Sequence, residues 1–305
     1  MEQSPPDDPI LKLKELGQAL DIEQPVSVSG GGRVFLSDAR ERKESDHDQR
    51  QEKRRPPTYP RKRTGRERRA SGGARTPSAA AHFRSERAEV LYGVGALELA
   101  REYSAKIFEE ELGIWVAAKS KPLGVRGPLF HILVAVPFEQ RIMPRAWAFH
   151  AIGPNCHPVG PRHTNFGDAS ICAFMKENRA WDYPDGLVRL VDLYSVWLLK
   201  QHHLAKFGWW PGPQVGPAAL YRRLDFQSRE WCGCLSGLKY ENCHQQADSR
   251  VPDELAQFEF RRTFMFPYES RVVPPSIFLA AKSKWSQIPS MNQAYSFRPL
   301  DPVRI

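Results

Sequence analysis

The sequence has no long apolar run. The longest extends from Leu129 to Val136, is eight residues long and contains His131, whereas a membrane-spanning helix needs about 20 apolar residues. The first residues, MEQSPPDDP, are acidic and proline-rich, where a secretory signal would have a basic start and an apolar stretch. We therefore expect a cytoplasmic protein with no membrane partner.

Nucleotide-binding glycine motifs are absent and cysteine is scarce. Neither G-x-G-x-x-G nor a P-loop occurs in the 305 residues, so a reaction step that consumes a nucleotide is expected to belong to another protein. The five cysteines are at positions 156, 172, 232, 234 and 243. In a cytoplasmic chain, cysteines favour metal binding or catalysis over disulfides.

The net charge of +9 has one source. The segment from Arg40 to Arg87 carries 16 Lys and Arg against seven Asp and Glu, so the rest of the chain is neutral. It is rich in Arg, Pro, Ser and Gly and has almost no large apolar side chains, and such a segment cannot bury enough surface to offset the entropy of ordering. We predict a mostly disordered basic region at residues 1–88, which binds nucleic acid only non-specifically, if at all.

The rest of the chain predicts an α+β fold. Apolar positions from Ala96 to Ile107 follow helical spacing, with Gly113 as a stop. Three short β-rich runs follow, at 114–119, 129–136 and 145–152, and Pro/Gly connections between them predict an antiparallel meander. A second helical face extends from Leu187 to Leu198. The long irregular stretch before that helix is where we expect the chemistry, because such loops are usually functional.

Four chemically active side chains lie within ten residues of this loop: His163, Asn165, Asp168 and Cys172. Cysteine is the obvious nucleophile, and acyl transfer through a thiolate needs a donor to stabilise each oxyanion. Asn165 is a candidate for that donor. A papain-like protease would place the cysteine before the histidine, and the order here is the reverse.

The loop resembles the ubiquitin-conjugating enzymes. Members of that family carry His-Pro-Asn, a glycine, Ile-Cys, and then a tryptophan and a proline before a helix. This chain has His163-Thr164-Asn165, Gly167, Ile171-Cys172, Trp181 and Pro184 in that order. Thr164 stands where the family has proline, and the Asn-to-Cys spacing is one residue short, so the chain is more similar to the divergent bacterial relatives found in antiphage systems. The resemblance covers roughly 89–214.

The resemblance implies an activity and roles for the residues. Cys172 would carry the C-terminus of a ubiquitin-like protein or of a CD-NTase-type nucleotidyltransferase as a thioester, after a separate activating enzyme, and pass it to a lysine of a target protein. Asn165 would support the loop or stabilise the oxyanion, and His163 would hold the loop by hydrogen bonding. Three aspartates are candidates for orienting or deprotonating the lysine: Asp168, Asp182 and Asp185. We include Asp182 in the predicted catalytic set.

A second motif follows at WCGCLSGLKYENCH. Cys232, Cys234, Cys243 and His244 form a four-ligand set that suits tetrahedral zinc. The pattern resembles the SEC-C motif, including the Ser-Gly-x-Lys-Tyr interior at 236–240. With all four positions filled by protein ligands, the zinc is expected to be structural. Either the module docks a partner through exposed basic residues, or the metal only stabilises the fold of a short segment. The basic residues are Lys239, Arg222, Arg223 and Arg229.

The C-terminal part is predicted to be β-rich and irregular. Four phenylalanines are separated by even numbers of residues, so they would all lie on one face of a β-strand, and this favours a strand or hairpin. They are Phe258, Phe260, Phe264 and Phe266. The segment 208–214, GWWPGPQ, is predicted to be a linker that its tryptophans anchor on the core. The predicted organisation is 1–88 basic region, 89–215 UBC-like domain, 225–247 zinc knuckle and 248–305 C-terminal extension.

Two other functions remain open at this point. In the first, the chain is a non-catalytic adaptor of the same fold that binds partners through the knuckle and the basic tail. In the second, it binds nucleic acid, a hypothesis that rests on the tail alone. The adaptor hypothesis predicts that Cys172 is chemically idle.

Overall fold

A computed structural model describes residues 26–28, 34–36, 87–121, 128–174, 180–234 and 236–296. Its strands are β1 (Val26–Val28), β2 (Val34–Leu36), β3 (Lys106–Glu110), β4 (Gly113–Lys119), β5 (His131–Pro137), β6 (Arg145–Ala151) and β7 (His157–Pro158). Its helices are α1 (Arg87–Tyr103), α2 (Gly186–Phe207), α3 (Ala219–Asp225), α4 (Gln245–Asp248), α5 (Asp253–Phe264), α6 (Pro275–Lys282) and α7 (Met291–Ala294).

Strands β3 to β7 form one antiparallel sheet in chain order. The predicted meander is confirmed in β4, β5 and β6, and the sequence patterns missed the flanking strands β3 and β7. The first helix is shorter at its C-terminal end than its apolar spacing predicts. It ends at Tyr103, Ser104 has a φ of 49°, and Ile107 and Gly113 lie in strands. Pairing of Ile107 with Val116 overrides the helical pattern, because ladder hydrogen bonds then satisfy the backbone.

Helices α1 and α2 cover one face of the sheet. The sheet contributes alternate residues, among them Val116, Ile132 and Val134, and Leu190 and Leu198 of α2 pack against them, all fully or almost fully buried. The predicted helical face at 187–198 is therefore confirmed as core. A core of this kind fixes the direction from which α2 approaches the loop that contains Cys172.

The C-terminal helices cover the other face of the same sheet. Trp115, Leu133 and Trp147 are buried there against Ile277 of α6 and Met291 of α7. Alternate strand residues therefore face two different cores, which explains why β4 and β5 are almost continuously apolar.

The expected strand at Phe258–Phe266 is wrong. Residues 253–264 form helix α5, and within 248–296 no strand is found. Phe260 and Phe264 are one helical turn apart and pack with rings 4.6 Å apart, while Phe258 is 43% exposed. Residues separated by four positions lie on the same face of a strand and also on the same face of a helix. The spacing of the phenylalanines therefore did not distinguish the two structures.

Most of residues 1–88 lies outside the described residues. Within that segment the structure describes the short antiparallel pair β1–β2 and the start of α1. The expected disorder of this region stays a prediction. In the described part of the chain, no helix has the length and hydropathy needed to cross a membrane.

Candidate functional site

The loop between β7 and α2 folds back on itself and brings the two halves of the predicted motif together. Thr164 and Ile171 form an antiparallel bridge, and the amide of Cys172 donates to the carbonyl of His163 at 3.0 Å. The loop is fixed to the sheet because the Ile171 amide donates to Ala146 of β6 at 2.7 Å. It is fixed to α2 by Trp197, whose indole donates to the His163 carbonyl at 2.8 Å.

Cys172 is half-buried at the end of this hairpin. Burial raises the pKa of its thiol, because the charged thiolate is poorly solvated there, and the positive charge of Arg271 partly opposes the rise. The thiol is therefore mostly protonated in the free protein at neutral pH. The positive charge of Arg271 favours the reactive thiolate form of Cys172.

Arg271 comes from the C-terminal extension, a contribution that the sequence analysis missed. Its side chain is 4% exposed and pairs with the buried carboxylate of Asp225 at 3.0 Å through two nitrogens. The guanidinium also lies 4.2 Å from the ring centroid of Phe166 on the loop and 5.1 Å from that of Tyr221. Within the described residues, its buried Nε has no hydrogen-bond partner. No sequence motif could have placed this cation, because it lies about a hundred residues beyond the cysteine.

His163 is a buried structural residue. Its Nε2 lies 2.8 Å from Oε1 of Gln214, and its ring packs against that of Trp210 in a tilted arrangement with centroids 3.9 Å apart. The Gln214 amide nitrogen donates to Glu230, so its oxygen is an acceptor and the His163 Nε2 must carry the proton. Burial, and then the charge of Arg162, lower the pKa of His163 well below its usual value. His163 is therefore a neutral donor that holds the loop.

Asn165 is exposed and its side chain closes the hairpin. The amide nitrogen donates to Ser170 Oγ at 2.9 Å and, with a longer contact of 3.4 Å, to the Ile171 carbonyl. The backbone amide of Asn165 donates to the Ser170 carbonyl at 2.7 Å. In this arrangement, Asn165 supports the loop that presents Cys172.

The next residues of the loop dock on the C-terminal extension. Phe166 packs among Phe260, Phe264 and Tyr268, and the Gly167 amide donates to Ser270. A Cβ on Gly167, whose φ is 93°, would lie 2.6 Å from Phe266. The extension therefore forms one wall of the site and requires glycine at this position.

Two of the three candidate aspartates, Asp168 and Asp182, lie in different surroundings. Asp168 is buried, pairs with Arg145 at 2.6 Å and accepts from the Ser170 amide and hydroxyl. Burial raises its pKa, and Arg145 opposes this. Asp168 therefore braces the loop.

Asp182 is exposed and caps the 3₁₀ turn that begins at Tyr183. That turn follows Trp181, whose ring packs 6.3 Å from Phe174. Asp182 and Cys172 are separated by residues 175–179, outside the described part.

A buried polar network joins this loop to the segment that precedes the cysteine cluster. Arg162 forms an ion pair with Glu230, which is completely buried. The same carboxylate accepts from the Trp210 amide at 2.6 Å and from Gln214 Nε2 at 3.1 Å. The segment predicted to be a linker is thus part of the core, as the burial of Trp210 shows. Sequence spacing could not reveal Arg162 and Glu230, since 68 residues separate them.

The predicted ligand cluster is present in the structure. The four ligand atoms of Cys232, Cys234, Cys243 and His244 lie within 4.8 Å of one another. The shortest contacts are those of His244 Nδ1, which lies 3.1 Å from Cys243 Sγ and 3.2 Å from Cys232 Sγ, and the sulfurs of Cys234 and Cys243 are 3.5 Å apart. Hydrogen bonding with Ser236 lowers the pKa of Cys234 to about 6. This set can bind a metal ion, because it combines thiolate and imidazole ligands in one shell.

The basic residues expected to be exposed on the knuckle are not all exposed. Arg222 is buried and makes two bonds of 2.7 Å to Asp248, so it stabilises the module from inside. Arg223 donates to Asp253 and to the Val251 carbonyl. Arg229 is exposed, as expected, and its guanidinium lies 5.0 Å from the ring centroid of Trp209. The expectation for Arg222 was wrong. Its helix, α3, has only about two turns, and in so short a helix the presence of a charge does not identify the side that faces solvent.

Comparison with protein-family models, with curated proteins and with solved structures finds no match to this chain.

Proposed function

We propose that the protein is an acyltransferase of the ubiquitin-conjugating type, in which Cys172 carries the C-terminus of another protein as a thioester. The carried protein is a ubiquitin-like protein or a CD-NTase-type nucleotidyltransferase, and the acceptor is an amine on a target in bacterial antiphage defence. One observation carries the proposal: the 163–172 hairpin holds the His-Thr-Asn segment beside the Ile-Cys segment through the Cys172-to-His163 backbone bond.

The chemistry requires a thiolate and two acyl-transfer steps. In loading, the sulfur of Cys172 attacks the activated carboxyl carbon of the carried protein, and the group that activated it departs. In discharge, a lysine amine attacks the thioester carbonyl, loses a proton, and the Cys172 thiolate departs. Arg271 supports both steps electrostatically, since a nearby positive charge lowers the thiol pKa and stabilises the leaving thiolate.

The supporting residues then have separate tasks. His163, neutral and bonded to Gln214, positions the hairpin and takes no proton. Asn165 braces the loop through Ser170 and, being exposed, can turn its amide toward the oxyanion during discharge. Asp182 is the exposed carboxylate we assign to orienting the incoming amine, whereas the ion pair with Arg145 occupies Asp168.

Asn165→Ala is expected to load Cys172 normally but to slow discharge to lysine by a hundredfold or more. Loss of one oxyanion donor costs about 2.7–4 kcal/mol in acyl-transfer sites. Single-turnover measurements of loading and of discharge to free lysine separate the two steps. The matched control is Asn155→Ala, an exposed asparagine after β6, which should leave both rates unchanged. Equal slowing of both steps in Asn165→Ala would show that the side chain only maintains the loop.

The adaptor hypothesis draws on one specific observation, the burial that raises the pKa of Cys172. A buried, protonated cysteine is inert. In that case the protein binds partners through the knuckle, and its basic tail adds non-specific attraction. Replacement of Cys172 distinguishes the two hypotheses, because an adaptor would retain its function in Cys172→Ala.

We also propose that the cysteine cluster holds one structural zinc ion in a SEC-C-like knuckle. Tetrahedral zinc with bonds of about 2.3 Å places sulfur ligands roughly 3.8 Å apart, and the observed ligand atoms lie within 4.8 Å of one another. With three thiolates and one imidazole, the protein fills all four positions, so no water is activated there. The module is attached to the loop through Glu230, which makes it a scaffold for the site as well as a docking element.

Elemental analysis of protein purified without chelator is expected to find one zinc per chain. Cys243→Ser should lose the metal and unfold the module at lower temperature, because structural zinc binding is folding free energy. Cys156→Ser makes the same chemical change at a buried cysteine outside the cluster and should retain the zinc. A wild-type protein free of zinc, or a Cys243→Ser variant with the full metal content, would contradict the assignment.

A further inference from the structure

A cavity of about 690 Å³ opens at one end of the sheet. Ile152, directly after β6, lines it, whereas the functional loop bonds to Ala146 near the start of the same strand. Six residues of strand span about 20 Å. The cavity is therefore distinct from the Cys172 site.

The lining of this cavity is strongly basic. Lys106, Lys119, Lys121 and Lys284 line it together with one carboxylate, that of Glu102. Lys121 is buried and already paired, at 2.6 Å with Asp192 and at 3.7 Å with Glu102. Among the described residues, the other three lysines have no carboxylate within ion-pair distance. Three unneutralised ammonium groups thus share one cleft.

Strand register places two of these lysines and a histidine on the same sheet face. Lys106 pairs with Ala117, so Lys119, two residues further along β4, is its diagonal neighbour. Such neighbours lie about 7–8 Å apart. Lys119 also lies directly opposite His131. Burial, and then Lys119, lower the pKa of His131, which leaves a neutral imidazole beside the two charges. Both lysines are exposed, and two positive charges at this separation make the potential of the cavity positive, which attracts an anion.

The third lysine is held at a backbone position that favours glycine. The Lys284 amide donates to Ala281 and the Trp285 amide to Ala280, the bonding pattern that ends a helix in a Schellman motif. Lys284 has a φ of 54°, in the left-handed region that L side chains rarely adopt. Its stem lies against Gly153, where a Cβ would meet Lys284 Cε at 3.0 Å. This turn brings Lys284 to the wall of the cavity, across from the sheet lysines.

We propose that this cavity binds a small ligand bearing phosphate groups. Lysine ammonium groups act as point charges that suit phosphate, whereas planar carboxylates are recognised best by arginine forks, and the lining residues described here include no arginine. The volume lies within the range of about 300–1,000 Å³ typical of small-molecule sites. The lysines come from β3, β4 and the turn after α6, so the ligand bridges the sheet and the C-terminal extension.

Isothermal titration of the full chain with inorganic pyrophosphate tests the proposal. Wild type is expected to bind it, and Lys106→Gln/Lys119→Gln to bind it about tenfold more weakly or worse, since charged hydrogen bonds are lost. Lys206→Gln is the matched control, because Lys206 is an exposed lysine far from the cavity. It lies near the end of α2, about 20 Å along the helix from Asp192, the residue that pairs with the cavity's Lys121. It should bind as wild type does. Malonate, a dicarboxylate of similar size, should bind much more weakly than pyrophosphate.

Lys284→Gly separates ligand binding from folding. Glycine relieves the left-handed backbone, so thermal unfolding should occur at the same or a higher temperature, while pyrophosphate affinity falls several-fold. Undetectable binding to wild type would overturn the proposal. Unchanged affinity in the double variant would also overturn it and assign the anion binding to the basic segment at 40–87. Malonate binding as tight as pyrophosphate binding would contradict the phosphate chemistry.

Discussion

Glu230→Gln is expected to lower the free energy of unfolding by about 3–5 kcal/mol, the usual effect of breaking a buried ion pair from one side. Glutamine keeps the volume but leaves the buried guanidinium of Arg162 without a counter-charge. Glu230 also accepts from the Trp210 amide and from Gln214, the residue that holds His163. Urea unfolding at neutral pH measures the change directly.

Two further variants make this prediction specific. Glu259→Gln makes the same chemical change at an exposed position of α5 and should stay within about 0.5 kcal/mol of wild type. Arg162→Met combined with Glu230→Leu should recover much of the loss, because removing both charges leaves neither one buried alone. A loss below about 1 kcal/mol in Glu230→Gln would mean that the network does not join the loop to the knuckle.

Cys172→Ala is expected to abolish acyl transfer, with a loss of at least about a thousandfold, because removal of the nucleophile in comparable acyl-transfer enzymes costs several powers of ten. The change removes one partly buried sulfur atom, so the fold and the zinc content should be unchanged. Cys156→Ala is the matched control: its thiol is buried between the sheet and the C-terminal helices and should not affect transfer. Transfer at the wild-type rate in Cys172→Ala would favour the adaptor hypothesis.

The central strands and the second helix could be predicted because their signals are local. Strands β4 to β6 are short β-rich runs between Pro/Gly connections, and α2 has an apolar face at helical spacing. The edge strand β3 was missed because Ile107 continues the helical spacing of the preceding apolar residues, and its pairing with β4 is what defines the strand. Helix α5 was missed because the spacing of its phenylalanines fits the period of a strand and that of a helix equally well.

The residues of the candidate site also fall into two groups, those that a local motif predicts and those that only the folded structure brings together. The cysteine cluster lies within thirteen consecutive residues, so its spacing alone predicted a group that the structure brings together. His163, Asn165 and Cys172 were found by a loop motif and lie on one hairpin. Arg271 and Glu230 reach the loop from distant parts of the chain. Residues of this kind carry no motif, because only contacts between distant parts of the chain give them a role.

The most direct test of the central claim is intact-mass analysis of the adduct formed with an activated partner encoded by a neighbouring gene. Wild type should gain the mass of the carried protein less one water, and a thiol reductant should remove it, because thiols cleave thioesters. Cys172→Ser should form an adduct of the same mass shift that resists the reductant, because an oxygen ester is not cleaved by thiols. An adduct of wild type that survives the reductant, or one that still forms on Cys172→Ala, would contradict the assignment of Cys172 as the carrier.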